Sequence, residues 1–168
     1  MTRVAAHGLS LDAPLGWDVR IYKRAPDDEP VTTHPVMHAG NFALPEERGD
    51  YGSGAVEIMG PANVFFALLE FHPDSVRTAM FSTRGLRLPL LAGQFDPQRM
   101  QRNIPGQSGL QRFFQVDGRA FCLYVVIGSH LGRAALAPVA SDAVRSLLVT
   151  NSGGVYRSAV AVGAEAGP

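Results

Sequence analysis

The chain has 168 residues, of which 46% are apolar and 18% charged: enough apolar side chain to fill one core and too little charge for an intrinsically disordered chain. Fifteen basic residues cancel fifteen acidic ones, so there is no global positive field to draw the protein to nucleic acid or anionic lipid. The single cysteine, Cys122, excludes an internal disulfide and a cysteine-based zinc site, and neither a secretory leader nor a bilayer-length apolar run is expected from the pattern.

In chain order, the first hairpin is expected around Pro14-Leu15-Gly16. Leu9 and Leu11 alternate with Ser10 and Asp12 before it, and Trp17, Val19 and Ile21 alternate with Asp18 and Arg20 after it, with Trp17 as an inward anchor. Lys23 to Pro35, with Pro26, Asp27, Asp28, Glu29 and Pro30, has almost nothing to bury and reads as an exposed loop. Val36 to Phe42 reads as a strand, Pro45 to Gly54 as a glycine-rich polar loop, and Ala55 to Met59 as a short strand.

Val64 to Phe71 is the most apolar run and reads as a central strand covered on both faces, with a buried helix as the alternative that periodicity leaves open. After His72-Pro73, Asp74 or Ser75 caps a short helix through Met80. Gly85 to Gly93 is irregular. Asp96-Pro97 starts a further helix that ends before Pro105-Gly106.

Arg112 to Val116 and Arg119 to Ile127 flank Asp117-Gly118, a pair suited to the positive φ of a tight hairpin turn. Ala137 to Val149 reads as a helix whose stripe Ala140, Val144, Leu147 and Leu148 lies on a sheet, stopped by Asn151-Ser152-Gly153-Gly154. Val155 to Val162 adds an edge strand or an arm, and Gly163 to Pro168 reads as a loose tail after a single domain over residues 1–162. The expected class is α+β: a mainly antiparallel sheet with a C-terminal helix packed on it and short additional helices.

Candidate chemistry is sparse. His34 and His38 would share a helix face, but Pro35 favours extended chain, where they stand about 13 Å apart, too far for one ion. Gly52-Ser53-Gly54 and Gly106-Gln107-Ser108-Gly109 miss the Gly-x-Ser-x-Gly elbow of a serine nucleophile, and there is no Walker loop or dinucleotide fingerprint. Ser129 and His130, with Asp50, Glu57 or Glu70, form only the kind of triad set any chain of this size offers. Ile104 to Gly109, with Arg99, Arg102 and Arg112 close in sequence, is a candidate anion nest, and the arginine-dotted stretch Gln98 to Gln115 is the most interaction-prone surface. The aromatic set Phe65, Phe66, Phe71, Phe113, Phe114, Phe121 and Tyr124 is assigned to the core.

The order of elements, with Leu11-Asp12-Ala13-Pro14-Leu15-Gly16-Trp17-Asp18-Val19 in the first hairpin, the Asp117-Gly118 hairpin and a terminal sheet-packing helix, resembles the PsbP/Mog1-like domains over roughly residues 8–150. The resemblance implies a noncatalytic accessory protein that binds other proteins; it transfers no site residues.

The first expectation is therefore a cytoplasmic protein-binding module without cofactor, metal or nucleic acid, holding its partner by the sheet face, the Lys23 to Gly54 loops or the Gln98 to Gln115 region, with Arg99, Arg102, Gln107 and Arg112 as candidate binding residues. The second is a small-molecule binder or small hydrolase with a pocket at the sheet edge and His38, Ser129 and His130 as its polar groups. A structural subunit of a larger particle, or a homo-oligomer, is the third.

Overall fold

The structure, a computed structural model, describes residues 1–23, 34–47 and 49–162. The readings of residues 24–33 and Arg48 as loop and of 163–168 as tail lie outside the described residues.

The chain opens on β1 (Thr2–Ala6) and β2 (Leu9–Ala13), paired antiparallel with Val4 opposite Leu11. Their two-residue turn, His7 at φ 52° and Gly8 at φ 76°, has the double positive φ whose twist matches that of the flanking strands. This corrects the expected hairpin between residues 9–12 and 17–21. The Pro14 to Gly16 turn is present, closed by Trp17 N–H donating to the Pro14 carbonyl at 3.2 Å. It does not fold the chain back onto β2, because β2 is already flanked by β1 and by β8 (Leu148–Thr150). Instead it passes the chain to a second sheet, where β3 (Asp18–Lys23) pairs with β4 (Pro35–Gly40). Trp17 is only partly buried, its ring 6.2 Å from that of Phe66.

The second sheet has the order β3-β4-β5-β7-β6, with β5 Val64–Phe71, β6 Ser108–Val116 and β7 Arg119–Ile127, every neighbouring pair antiparallel. β5 is the covered central strand expected. Val64, Phe66 and Leu68 join Phe121, Leu123 and Val125 in one core, while Phe65, Ala67 and Leu69 join Tyr124 and Val126 in another. Strand alternation thus feeds two cores at once. The first lies between this sheet and a layer made of the helix α1 (Arg133–Val144) and the four-stranded sheet β1-β2-β8-β9, β9 being Tyr156–Ser158. The second lies under Phe42, Leu44, Tyr51, Val56, Met100 and Ile104 from the irregular segments. The fold is α+β with antiparallel sheets, as expected, although the sheets are two.

Several elements differ from expectation for local reasons. Residues 55–59 are not a strand: Gly52 at φ 81° turns the chain so that Ala55 and Val56 N–H both bond to the Gly52 carbonyl, and Val56–Ile58 is a single 3₁₀ turn. Residues 73–81 form two 3₁₀ turns, Pro73–Arg77 and Ala79–Phe81, with His72 Nδ1 rather than Asp74 or Ser75 accepting at the start. Only Phe81 is buried there, so no apolar stripe supports a longer helix. Asp96 does cap, taking the Gln98 N–H at 2.8 Å, but the helix is one turn, Pro97–Arg99.

The main helix begins at Arg133 and ends at Val144, not at 137 and 149. Its buried stripe is Leu136, Ala137, Ala140, Ala143 and Val144. Leu147 and Leu148 fit the helical stripe but Leu147 and Val149 equally fit a strand's alternation, and pairing of β8 with both β2 and β9 selects the strand. Asn151 to Gly154 then makes a hairpin turn, Asn151 Oδ1 accepting from Gly153 and Val155 N–H at 3.0 Å each, and β9 is an edge strand.

No helix among the described residues is long and apolar enough to cross a membrane. Cys122 lies fully buried on β7, and burial pushes its thiol up to about 12. At pH 8 only about one such thiol in ten thousand is ionised, so a thiol-disulfide reagent is expected to leave the native chain unlabelled and to label it fully in denaturant. The folded value stands above the unfolded one. Its contribution to stability is therefore fully present below about pH 9 and lost as pH rises toward 12, by up to about 1.4 kcal/mol per pH unit. Tyr124, raised chiefly by burial, acts in the same direction at higher pH. Urea midpoints that stay level between pH 8 and 11 would contradict this.

Candidate binding edge on β6

The β6–β7 hairpin sets the geometry of the candidate site. Its turn, Asp117 at φ 48° and Gly118 at φ 79°, has two residues, so Val116 and Arg119 are the hydrogen-bonded pair closing it. Counting back in twos, the even-numbered residues of β6 bond to β7 and the odd-numbered ones turn their N–H and C=O outward. Both ends of that outer edge are closed. Gly109 exchanges two bonds with Asp96 (2.9 and 3.0 Å), and Gln115 takes the Gly85 N–H and donates to the Thr83 carbonyl (2.9 Å each). Between them, no main-chain partner meets Gln111 or Phe113 among the described residues; the Gln111 carbonyl receives only Arg112 Nη1, at 3.0 Å. Gly109 is a glycine of close approach: a Cβ there would sit 3.0 Å from Met100 Cγ and 3.3 Å from the Arg99 carbonyl.

Two clefts flank the open stretch and share Phe113. One, of about 230 Å³, is lined by Thr83, Gly85, Leu86, Arg87, Arg112 and Phe114 besides. The other, of about 410 Å³, is lined by Gln98, Arg99, Met100 and Gln111. No carboxylate lines either, and none pairs with Arg84, Arg87, Arg99 or Arg112 among the described residues. Arg112 stands on the side of β6 that carries Leu110 and Phe114; burial first, and then the like charge of Arg99, hold its guanidinium below the ordinary arginine range. It remains cationic at any working pH.

Two of the expected binding residues, Arg99 and Arg112, are thus brought to one place. The others are not. Arg102 turns to Glu57, Nη1 to Oε1 at 2.7 Å, and Gln107 is buried with Nε2 donating to the Val56 carbonyl at 2.8 Å. The candidate anion nest is otherwise engaged: Gln107 N–H bonds to the Ile104 carbonyl and Gly109 N–H to the Asp96 carbonyl, while the Gly106 carbonyl takes His130 N–H at 2.7 Å.

His38 is buried on β4, Nε2 donating to the Asp50 carbonyl at 2.9 Å, with Tyr22 and Phe65 edge-on to its ring. His34 instead sets its ring edge-on to His72. Ser129 Oγ accepts from Gly132 N–H at 3.0 Å just before α1, and the His130 carbonyl takes Arg133 Nη1 at 2.8 Å. None of His38, Ser129 and His130 lines either cleft at the β6 edge. Among the described residues no group of three or more His, Cys, Asp or Glu is placed to hold a metal ion.

Sequence reading misses Arg87 and the open main chain of Gln111 and Phe113, and it assigns Phe113 to the core. Phe113 is partly exposed because β6 is an edge strand, its ring 5.6 Å from Phe81 on one side and lining the clefts on the other. The two-residue turn at Asp117-Gly118 is the available signal, since it alone determines which residues of β6 face away from β7. Comparison of the chain with family models, with curated proteins and with solved structures finds no match.

Proposed function

We propose that the chain is a noncatalytic module that binds another protein, and that the open edge of β6 with Arg99 and Arg112 is where it does so. One observation carries the reading: a sheet edge closed at both ends and open in the middle, flanked by arginines that no carboxylate in the described chain neutralises. Unpaired main-chain groups on a sheet edge are a template for pairing with another chain, and here they lie between two clefts. Arginine, aromatic and amide side chains, here Arg99, Arg112, Phe113, Gln98 and Gln111, are the types that suit surfaces where proteins meet.

The test is quantitative co-purification from the native cell with the wild-type chain and with Arg99→Glu combined with Arg112→Gln. The expected result is a stoichiometric protein partner that the double variant loses while its thermal unfolding stays within a few degrees of wild type. A partner set unchanged between the two chains would overturn the assignment of this edge.

A further inference from the structure

We propose that the open stretch of β6 takes an extended acidic peptide as an added strand, bonded through the main chain of Gln111 and Phe113, with its carboxylates drawn to Arg99 and Arg112. This rests on the protein-binding reading above and names its mode and its ligand.

The length of the window defines the ligand. From Gly109 to Gln115 the strand advances six residues, about 20 Å at about 3.3 Å per residue. The bonds to Asp96 at one end and to Thr83 and Gly85 at the other leave room for about five extended residues, whose chain must leave the sheet plane at both ends. Within the window four outward groups, the N–H and C=O of Gln111 and of Phe113, have the spacing of a β ladder, the Gln111 carbonyl using its second lone pair beside Arg112 Nη1. Strand addition of this kind draws affinity from the main chain and selectivity from alternate side chains.

The side chains specify the rest. On one face of β6, Arg112 stands with Arg87 beside it in the smaller cleft; on the other, Phe113 and Met100 offer apolar surface with Arg99 at the rim. A segment alternating acidic and apolar residues satisfies both faces, its carboxylates on the side of Arg112 and Arg87, where the charge of Arg99, close enough to act on Arg112 from the rim of the other face, also reaches them. A second copy of this chain does not. Pairing two β6 edges about their centres would set Arg112 against Arg112 with both Arg99 side chains close by, and like charges directly opposed across strands destabilise a sheet. The uncompensated positive charge therefore selects an acidic occupant.

The experiment is a titration of the full-length, isotopically labelled chain, followed by its amide resonances, with an acetylated and amidated pentapeptide alternating glutamate and valine. Two N-methylated forms accompany it, one methylated at its odd and one at its even residues, together with a form carrying lysine in place of glutamate. The expected result is saturable binding in which the Gln111 and Phe113 amide protons move downfield and gain protection from exchange. One N-methylated peptide should lose at least tenfold in affinity while the other does not, because an added strand turns only alternate amides toward its neighbour. Arg99→Gln with Arg112→Gln should weaken the parent peptide by at least tenfold, and the lysine peptide should not bind.

Equal binding of both N-methylated forms overturns strand addition, and equal binding of the lysine form overturns the acidic ligand. Absence of saturable binding, or perturbation centred elsewhere than β6, overturns the whole inference. If the peptides fail in any of these ways while co-purification of a native partner still depends on Arg99 and Arg112, the inference falls and the protein-binding reading stands. If co-purification shows no such dependence, the reading falls by itself.

Discussion

Replacing Arg119 by alanine is expected to cost about 3–5 kcal/mol, the penalty of leaving one member of a largely buried ion pair without its partner. Arg119 leaves the start of β7 and meets Glu70 on β5 through both ends of its fork, Nε to Oε1 at 2.8 Å and Nη2 to Oε2 at 2.6 Å. The two side chains are only 19% and 9% exposed. Its remaining nitrogen, Nη1, donates to the Gly8 carbonyl at 3.0 Å in the β1–β2 turn and to the Thr150 carbonyl at 3.2 Å at the end of β8. One planar cation therefore ties the five-stranded sheet to the four-stranded one, with its central carbon 5.3 Å from the centre of the Phe121 ring. Gly8 is part of the same arrangement: a Cβ there would overlap Thr150 Oγ1 and lie 2.9 Å from Arg119 Nη1.

Lysine cannot reproduce a fork that reaches three segments at once, so Arg119→Lys should recover little of the loss. Removing both charges, as Arg119→Met with Glu70→Leu, should be much milder than either single change, since no charge is then left buried. Urea unfolding of the wild type, the two single variants and the double variant gives the coupling directly. If Arg119→Ala fell within about 1 kcal/mol of wild type, the pair would be behaving like an exposed one and the connection between the sheets would lie elsewhere.

What can be read from the sequence is what neighbouring residues decide among themselves. Asp117-Gly118 announces its hairpin because the turn needs two positive φ angles and those two residues tolerate them. The run from Val64 to Phe71 announces a central strand because a segment apolar on both faces must be covered on both. The failures come where two patterns coincide or where the partner is far away. Leu147 and Leu148 continue a helical stripe, while Leu147 and Val149 also fit the alternation of a strand, and it takes pairing with β2, across more than a hundred residues, to separate the two. A histidine is a less usual residue than asparagine or aspartate at the first place of a tight turn, so His7-Gly8 gives no clear local sign of its hairpin, nor of β1.

The site divides along the same line. Arg99 and Arg112 lie close in sequence and close in space, yet Arg102, between them, is drawn away to Glu57. The window on β6 exists because segments around Thr83 and Asp96 close its two ends, a long-range fact that no local pattern carries.

The same dependence on long-range approach governs Gly128, where a single methyl group is expected to cost about 3 kcal/mol or more, lowering Tm by about 6–12 °C for a chain of this size. Gly128 follows β7 directly, and its N–H donates to the Asn63 carbonyl at 2.8 Å. Asn63 closes a turn on Gly60, its own N–H bonding to the Gly60 carbonyl at 3.0 Å and its Oδ1 taking Gly60 N–H at 2.7 Å. This turn leads into β5, so it and Gly128 sit together at one end of the central strand pair. A Cβ on Gly128 would overlap the Gly60 carbonyl oxygen and stand 2.9 Å from its carbon. Those are main-chain atoms of a hydrogen-bonded turn; unlike the end of a flexible side chain, they cannot swing aside without breaking the bonds that hold Asn63 and the start of β5.

Gly93 supplies the contrast. A methyl group on its Cα would meet no atom within 4 Å, and its φ is not positive, so Gly93→Ala should be neutral or should stabilise by up to about 1 kcal/mol through the unfolded chain. Gly118 stands between the two: open space but φ 79°, so Gly118→Ala should cost about 1–2 kcal/mol from backbone strain alone. Thermal unfolding of the three alanine variants should therefore rank Gly93, Gly118 and Gly128 in order of increasing loss. A Gly128→Ala chain that melts with the Gly93→Ala chain would mean that the Gly60–Asn63 turn does not press on the end of β7.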